Sequence, residues 1–573
     1  MGESVIKVFV VIAWLAVSLY ASLPTGIERA IIGAGVPLKD VSLYIKEAGR
    51  GGEVVASLNA DTVRTPASVI KVLSTYAAVL SLGFDYRWPT QFYRHGVVKR
   101  GTLYGDLIVK GFGDPTLSAE DLPSIVASLK RKGIHTINGN IVIDRSYFQV
   151  GTENSSHFDE NPYSPYNAMP DALMFNERVS TICVTPNRNS VTKKYPDESY
   201  RLHNDLVRVN KPCKGRYSWP RIKIDESKAV PEVWVKGKIS KRCGKREICR
   251  VVTKPYKAFY YAFKSALQEG GIDFHGDLKL RRVPKDAHIL FTHYSQPLEK
   301  IVAKTAKKSN NLYARHLLLY LGAKRFGAPA TLQKGRRAVM QILQSHGALK
   351  AHQLKIDNGS GLSRTARLTT YVLADMLDDA YARYGKRWMR TLSIAGVDGT
   401  IRKRFRGTKV SHRAWMKTGT LKRVKNIAGY VKSKEGEIYT VVILVNTKRG
   451  RWRASKLQNE ILKWLVDYRK TQLRPASDIV DQMIRNENSG GDDTPALKTT
   501  TQVQYYIQAG AFAQPPNKVY LSKIQAEGLP YRIYHTTEYK VLIGPFSSES
   551  KARAVLMQVR NRLGEGAFLT KEP

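Results

Sequence analysis

Ser68 and Lys71 are the first residues in this chain whose types and spacing could do chemistry together. They stand three apart in Thr65-Pro66-Ala67-Ser68-Val69-Ile70-Lys71, just before the apolar run Val72–Leu80. Pro66 suits the first turn of a helix, where its missing N–H would have no partner in any case. A helix from there puts Ser68 and Lys71 on one face. A serine hydroxyl becomes a useful nucleophile when a neighbouring base takes its proton, and a lysine with a depressed pKa can be that base. In a chain this rich in Ser and Lys the S-x-x-K spacing also arises by chance, so the weight rests on what accompanies it. Two further clusters do: Ser309-Asn310-Asn311, and Lys417-Thr418-Gly419-Thr420. None of the 12 histidines sits beside a motif serine, so a Ser-His pair is not indicated.

The elements around these residues can be read from the pattern. Val41–Ile45 and Glu53–Leu58 are expected as two strands with Gly49, Gly51 and Gly52 in the turn between them. The chain then enters the Ser68 helix. From Phe84 onward short strands and glycine turns take over, including Thr102–Val109 and Gly139–Asp144. Gly111-Phe112-Gly113-Asp114-Pro115 lies among them and is read as a structural turn, because Asp114 would repel phosphate and the full G-x-G-x-x-G is absent. Helical periodicity returns near Gln296 through Leu298, Ile301, Val302 and Thr305, breaks at Lys307–Asn311, and resumes over Leu312–Tyr320. The break suits a loop whose Ser309 and Asn311 point into a cleft. It equally suits an N-cap for the helix that follows. Further helix is expected over Thr370–Tyr384, strands at Ile427–Val431 and Tyr439–Val445, and a last amphipathic helix over Arg453–Tyr468. Asn486–Pro495 has linker composition.

Charge and cysteine usage narrow the compartment. Ninety-two Lys and Arg stand against 48 Asp and Glu, a net charge of +44 over 573 residues. Such an excess attracts a polyanion: nucleic acid, anionic lipid or an envelope polymer. Lys7 followed by the uncharged run Val8–Leu19 and then Ala21 and Pro24 is the layout of a signal peptide, and the run is short for a membrane span. An exported protein does not meet chromosomal DNA, so the expected partner is an anionic envelope polymer and not nucleic acid. The basic stretch Lys236–Arg246 reads either as a solvated hairpin, with Cys243–Cys249 as a bridge that could pin it, or as a docking surface. Cys183, Cys213, Cys243 and Cys249 are even in number and suggest disulfides in one of three connectivities. Without a C-x-x-C pair or a histidine at ligand spacing, no metal site is expected.

Taken in order, Ser68-x-x-Lys71, Ser309-x-Asn311 and Lys417-Thr418-Gly419 resemble the three motifs of the penicillin-binding proteins and β-lactamases. About two hundred residues between the first and second motifs are similar to the class C low-molecular-mass penicillin-binding proteins, the D-alanyl-D-alanine carboxypeptidases/endopeptidases. Asp357–Arg364, Ala395–Thr400 and Gly111–Pro115 look like further signatures. The resemblance covers roughly residues 24 to 470. It implies a multi-domain α/β protein: a β-lactamase/transpeptidase-like α/β domain interrupted by a mainly β insertion, plus a small ferredoxin-like C-terminal domain. It also implies, without a cofactor, Ser68 as nucleophile, Lys71 as its base, Ser309 as a proton relay and Asn311 as a hold on the substrate amide. Lys417, Thr418, Gly419 and Thr420 would form an edge strand that binds the peptide and its terminal carboxylate, with Arg364 a further carboxylate contact. The backbone N–H groups of Ser68 and Thr420 would make the oxyanion hole. β-Lactams would be covalent inhibitors.

The C-terminal stretch Tyr505-Tyr506-Ile507-Gln508-Ala509-Gly510-Ala511-Phe512, with Tyr539–Phe546 beyond it, resembles a SPOR domain, a module that binds glycan strands stripped of stem peptides. Gln508 and Gly510 match that motif best. The organisation expected is a signal peptide at 1–22, a peptidase domain at 23–85 and 290–470, inserted domains at 86–289, a linker at 471–500 and the SPOR-like domain at 501–573. The activity implied is cleavage of D-Ala-D-Ala, or of D-amino-acid cross-links, in periplasmic peptidoglycan. A non-catalytic wall-binding scaffold and a β-lactamase are the rival readings.

Overall fold

The continuous apolar run Val441–Val445 is buried on both faces of one sheet, and the site-bearing unit is built around it. The computed structural model describes residues 23–149, 155–349, 353–469 and most of 505–571. The expected leader at 1–22 and linker at 471–500 lie outside the described residues. Residues Leu23–Arg469 form one unit. Its central sheet is antiparallel and runs in the order Ser393–Ile394, Ala414–Leu421, Val424–Lys432, Ile438–Asn446, Val41–Glu47, Val54–Leu58. Successive side chains on a strand point to opposite faces. Val441, Ile443 and Val445 therefore meet the helices Thr25–Ala34 and Arg451–Asp467 on one side. Val442 and Leu444 meet the helices Lys71–Leu82, Leu298–Lys307, Asn311–Phe326, Leu332–Ser345 and Thr370–Met389 on the other. Each such fully buried side chain contributes about 1.5–3 kcal/mol.

The Val41–Glu47 and Val54–Leu58 pair is antiparallel with a register shift after Ile45, and Gly49 and Gly51 take φ of +107° and +77° in the connection. One edge of the sheet is nearly open. Ser393 and Ile394 pair only with Met416 and Trp415, so no described strand lies beside Lys417–Leu421 on that side.

Between the helix that follows Ser68 and the one that precedes Ser309 lies the insertion, mainly β. A seven-stranded sheet, led by the antiparallel pair Pro89–Lys99 and Thr102–Gly111, packs on the helices Leu122–Arg131 and Pro255–Glu269. Two three-stranded sheets form a smaller cluster around Ile182, Val184, Val233 and Val235. The basic stretch Lys236–Arg246 runs through the end of one strand and a turn, and its bridge joins Cys213 to Cys243. The Cys243–Cys249 pairing considered from the sequence is thus replaced: Cys249 lies on the strand Arg246–Arg250, while Cys243 is drawn to the turn that carries Cys213. Cys183, buried, and Cys249, exposed, are unbridged.

The second unit, taken by itself, has strands Tyr505–Phe512, Tyr531–His535, Tyr539–Phe546 and Phe568–Lys571, with the helix Glu549–Leu563. The first strand lies between the third and fourth, and the second is at the far edge, which is the ferredoxin-like order.

Candidate active site

The turn carrying Ser68 is fixed from below by two asparagines. Asn426 Nδ2 donates to the carbonyls of Thr65 at 2.9 Å and Pro66 at 2.8 Å, while its Oδ1 accepts from Val445 N at 2.9 Å. Asn446 Oδ1 accepts from Thr65 N at 2.9 Å. Ala67 is buried at a φ of +50°, and a 3-10 turn over Ala67–Ile70 precedes the α-helix Lys71–Leu82. Ser68 thus stands on a tight turn, and Lys71 is the first residue of the α-helix proper. Two glycine backbones grip this turn. A Cβ on Gly361, whose φ is +77°, would lie 2.0 Å from Ala67 O and 2.8 Å from Ser68 N; one on Gly419 would lie 2.7 Å from Pro66 O and 3.1 Å from Ser68 N.

Lys71 is fully buried, and its Nζ donates to Ser68 Oγ at 2.9 Å, to Asn311 Oδ1 at 2.7 Å and to the carbonyl of Ser360. Burial drives its pKa well below the ordinary lysine range, and the cations Lys417 and Arg315 push the same way. No carboxylate answers them in this contact set. A lysine so placed gives up its proton easily and can then accept one from the hydroxyl it touches.

Lys417 lies on the strand Ala414–Leu421, also fully buried, and donates to Ser309 Oγ at 3.0 Å and Thr418 O at 2.7 Å. Burial lowers its pKa to about 7. Ser309 occupies the short connection between two helices at a φ of +55°. Both sequence readings of this loop hold, on different residues. Asn310 is the N-cap, its Oδ1 accepting from Tyr313 N at 3.1 Å, and Asn311 opens the helix with its side chain towards Lys71. Asn311 Nδ2 donates to the carbonyl of Tyr166 at 2.9 Å, so the insertion also touches this motif.

These residues border a cleft of about 980 Å³ lined by Ser68, Ser309, Asn311 and Thr420. Thr418 Oγ1 donates to Thr400 Oγ1 at 2.8 Å. Arg364 lies exposed on the cleft wall, its guanidinium 5.2 Å from the Phe158 ring and donating to Phe158 O at 3.2 Å. Lys422, Arg423, Arg451 and Asp159 also line the cleft, together with the apolar Leu362 and Leu421. Gln508 and Gly510 belong to the C-terminal unit, on its first strand, where a Cβ at Gly510 would come 2.7 Å from the Phe512 ring. Among the described residues no group of His, Cys, Asp and Glu could hold a metal ion.

Sequence reasoning missed four contributors. Ser360 and Thr400 lie inside the stretches Asp357–Arg364 and Ala395–Thr400, where the pattern assigns neither of them a role. Arg315 sat inside the apolar run Leu312–Tyr320, where a cation on the buried face leaves no periodic signal. Asn426 is a polar residue next to a strand, which on pattern alone reads as solvent-facing.

Comparison with known proteins agrees with this geometry. Residues 29–468 match the D-Ala-D-Ala carboxypeptidase 3 (S13) family, and residues 501–571 match the SPOR domain. The chain is 28% identical over 413 residues to D-alanyl-D-alanine carboxypeptidase DacB of Haemophilus influenzae, covering 69% of this chain and 83% of that protein. It is 30% identical over 433 residues to D-alanyl-D-alanine carboxypeptidase of Actinomadura sp. strain R39, covering 73% and 79%. Its fold is similar to the crystal structure of penicillin binding protein 4 from Haemophilus influenzae, with a TM-score of 0.64 at 25% identity over 77% of this chain and 99% of that one. The same protein complexed with a β-lactam gives 0.61 at 26% identity, covering 77% and 100%. With a family match spanning nearly the whole of the first unit, the chain belongs to the D-Ala-D-Ala carboxypeptidase 3 (S13) family and is a serine peptidase of peptidoglycan with a SPOR domain behind it.

Proposed function

We propose that Ser68 is the nucleophile and Lys71 its general base. The observation that carries this is the 2.9 Å contact between Lys71 Nζ and Ser68 Oγ, with Lys71 buried beside a second cation. Neutral Lys71 takes the hydroxyl proton as Oγ attacks the carbonyl carbon of the scissile D-Ala–D-Ala bond. The oxyanion forms between the backbone N–H groups of Ser68 and Thr420, each such donor accounting for roughly 3 kcal/mol of the barrier. Lys417 donates to Ser309 Oγ, which leaves the Ser309 hydroxyl proton for the departing amine. The C–N bond breaks, D-alanine leaves with the Ser309 proton, the proton held by Lys71 refills Ser309, and an ester on Ser68 remains. Water then attacks the ester, neutral Lys71 accepts its proton and passes it to Ser68 Oγ as the C–O bond breaks, and the serine is restored.

The peptide binds as an added strand along Lys417–Thr420, where no described strand competes for the backbone. Lys417 and Thr418 receive the terminal carboxylate, and Asn311 holds the substrate amide. Arg364 and its cationic neighbours suit a second carboxylate on the stem peptide. The protein is exported to the periplasm, and Gln508 and Gly510 hold it on glycan strands stripped of their peptides. Anionic envelope polymers are further partners of a chain with a net charge of +44.

Labelled penicillin tests the assignment. Wild type should carry one covalent label, and S68A none. A label that survives S68A overturns the nucleophile assignment. Penicillin turned over rapidly with no D-alanine released from a pentapeptide would overturn the peptide substrate. Product analysis on cross-linked muropeptides then separates carboxypeptidase from endopeptidase cleavage.

A further inference from the structure

Three consecutive residues of the insertion, none of them glycine, hold left-handed backbone: Asn176, Glu177 and Arg178 have φ of +45°, +52° and +59°. Such a run is costly for side chains with a Cβ and persists only where the surroundings enforce it. They do. Asn176 N donates to Leu117 O at 3.0 Å, and its Oδ1 accepts from Ala119 N at 3.0 Å. Arg178, buried, donates through Nη1 to Met169 O at 2.8 Å. The middle residue of this clamped turn points out of the insertion towards the Ser309-Asn310-Asn311 loop. Glu177 Oε2 accepts from Asn310 Nδ2 at 2.8 Å, Oε1 accepts from the Tyr313 hydroxyl at 3.2 Å, and the carboxylate pairs with Lys304.

We propose that Glu177 is a positioning residue for the catalytic loop, through which the insertion sets the geometry of the Ser68–Lys71 pair. Its partners bracket the loop: Lys304 lies in the last turn of the helix before it, Tyr313 lies in the first turn of the helix after it, and Asn310 belongs to the loop itself. Asn310 spends its side-chain oxygen on the helix N-terminus and its side-chain nitrogen on Glu177, so its side chain has one orientation available. That orientation fixes the next residue, Asn311, whose Oδ1 accepts from Lys71 at 2.7 Å. Released from Glu177, the loop would let Asn311 drift from Lys71. The lysine would then lose an acceptor that favours its charged form, and its pKa would fall further.

The inference rests on Ser68 acylation, so wild type is measured beside the variants with fluorescent penicillin over a pH series, along with melting temperature. E177A should lower the second-order acylation rate roughly ten- to a hundredfold, the scale of a small misplacement of reacting groups. The rising limb of its pH profile should move to lower pH, with melting unchanged. N310D keeps a good N-cap but sets a carboxylate against Glu177; it should acylate slowly, and E177Q in the same chain should restore the rate. The N310D pair decides the matter if E177A does not fold. E177A acylating within about twofold of wild type, an unmoved pH limb, or N310D that E177Q fails to rescue would each overturn the proposal. A wild type that takes no label would instead sink the Ser68 assignment beneath it.

Discussion

At the scale of single residues, two buried lysines decide how this enzyme should respond to pH. As the proposed general base, Lys71 has to lose its proton to act, so the acylation rate is expected to rise with pH through its depressed pKa, well below that of a free lysine. In its proposed role Lys417 has to keep its proton to hold a carboxylate. Its cation is present below about 7 and lost above, so affinity for a peptide with a free C-terminal carboxylate should weaken on the alkaline side, while an amidated analogue should not share that loss. Inhibition constants for the two peptides between pH 5 and 9 check this. The same burial opposes stability. Between about 7 and 10.5 the unfolded chain binds a proton at Lys417 that the folded chain has shed, so this residue's contribution makes stability increase with pH across that window. K417M should therefore gain in melting temperature relative to wild type as pH falls from 10 to 6, while losing activity. The types and order of these residues were legible in the sequence because chemistry restricts them. The electrostatic setting of Lys71 was not, since it includes Arg315 and Ser360, which pattern alone does not bring to it.

At the scale of elements, the site depends on how closely a strand and a loop approach the Ser68 turn. Gly361 and Gly419 leave no room for a methyl group against Ala67 O, Pro66 O and Ser68 N. G361A faces both that contact and a φ of +77°, so it should displace the turn and reduce penicillin acylation by at least tenfold, measured against the folded fraction. Asn426 works on the other side of the turn. N426L would remove donors to two carbonyls and an acceptor from Val445 N, leaving buried backbone groups unpaired at roughly 1–3 kcal/mol each, and thermal melting should register the loss. The strands and helices here were largely readable from periodicity, often to within two or three residues. The tight turn at Ser68 was read as ordinary helix, because S-x-x-K spacing brings the two side chains together in either form. The partner of Cys243 was out of reach for another reason. Pairing follows tertiary placement, and nearness in sequence favoured Cys249 over the Cys213 that the fold delivers.

For the whole molecule, the peptidase unit and the C-terminal unit should give separable phenotypes, while the insertion should affect both the stability and the geometry of the cleft it helps to line. Breaking the Cys213–Cys243 bridge opens a loop of 30 residues in the insertion and should cost roughly 3–4 kcal/mol of stability there, visible as earlier proteolysis of that region. Hydrolysis of a soluble pentapeptide should persist in C213S at temperatures where the insertion still holds Glu177. Q508A should weaken co-sedimentation with stripped glycan strands and leave kcat/KM for the soluble peptide as it was. The ferredoxin-like order of the C-terminal unit and the interrupted first unit were both legible, because they rest on motif order and spacing. The contact by which the insertion reaches the Ser309 loop through Glu177 was not, since a lone glutamate in a loop-rich stretch carries no pattern of its own.

The strand Ser393–Ile394 is two residues long and stops short of Lys417. A binding groove that works by accepting a backbone accepts any backbone, including a sister molecule's, and exposed sheet edges are where proteins aggregate. Here the tip of the groove carries Lys422 and Arg423, both exposed, on a chain whose net charge is +44. Mutual repulsion would keep copies apart at low ionic strength. In about 1 M salt, where screening acts within roughly 3 Å, the peptide-free enzyme should begin to self-associate in light scattering, and a bound stem peptide should prevent it. Substrate would then act as the guard of its own site.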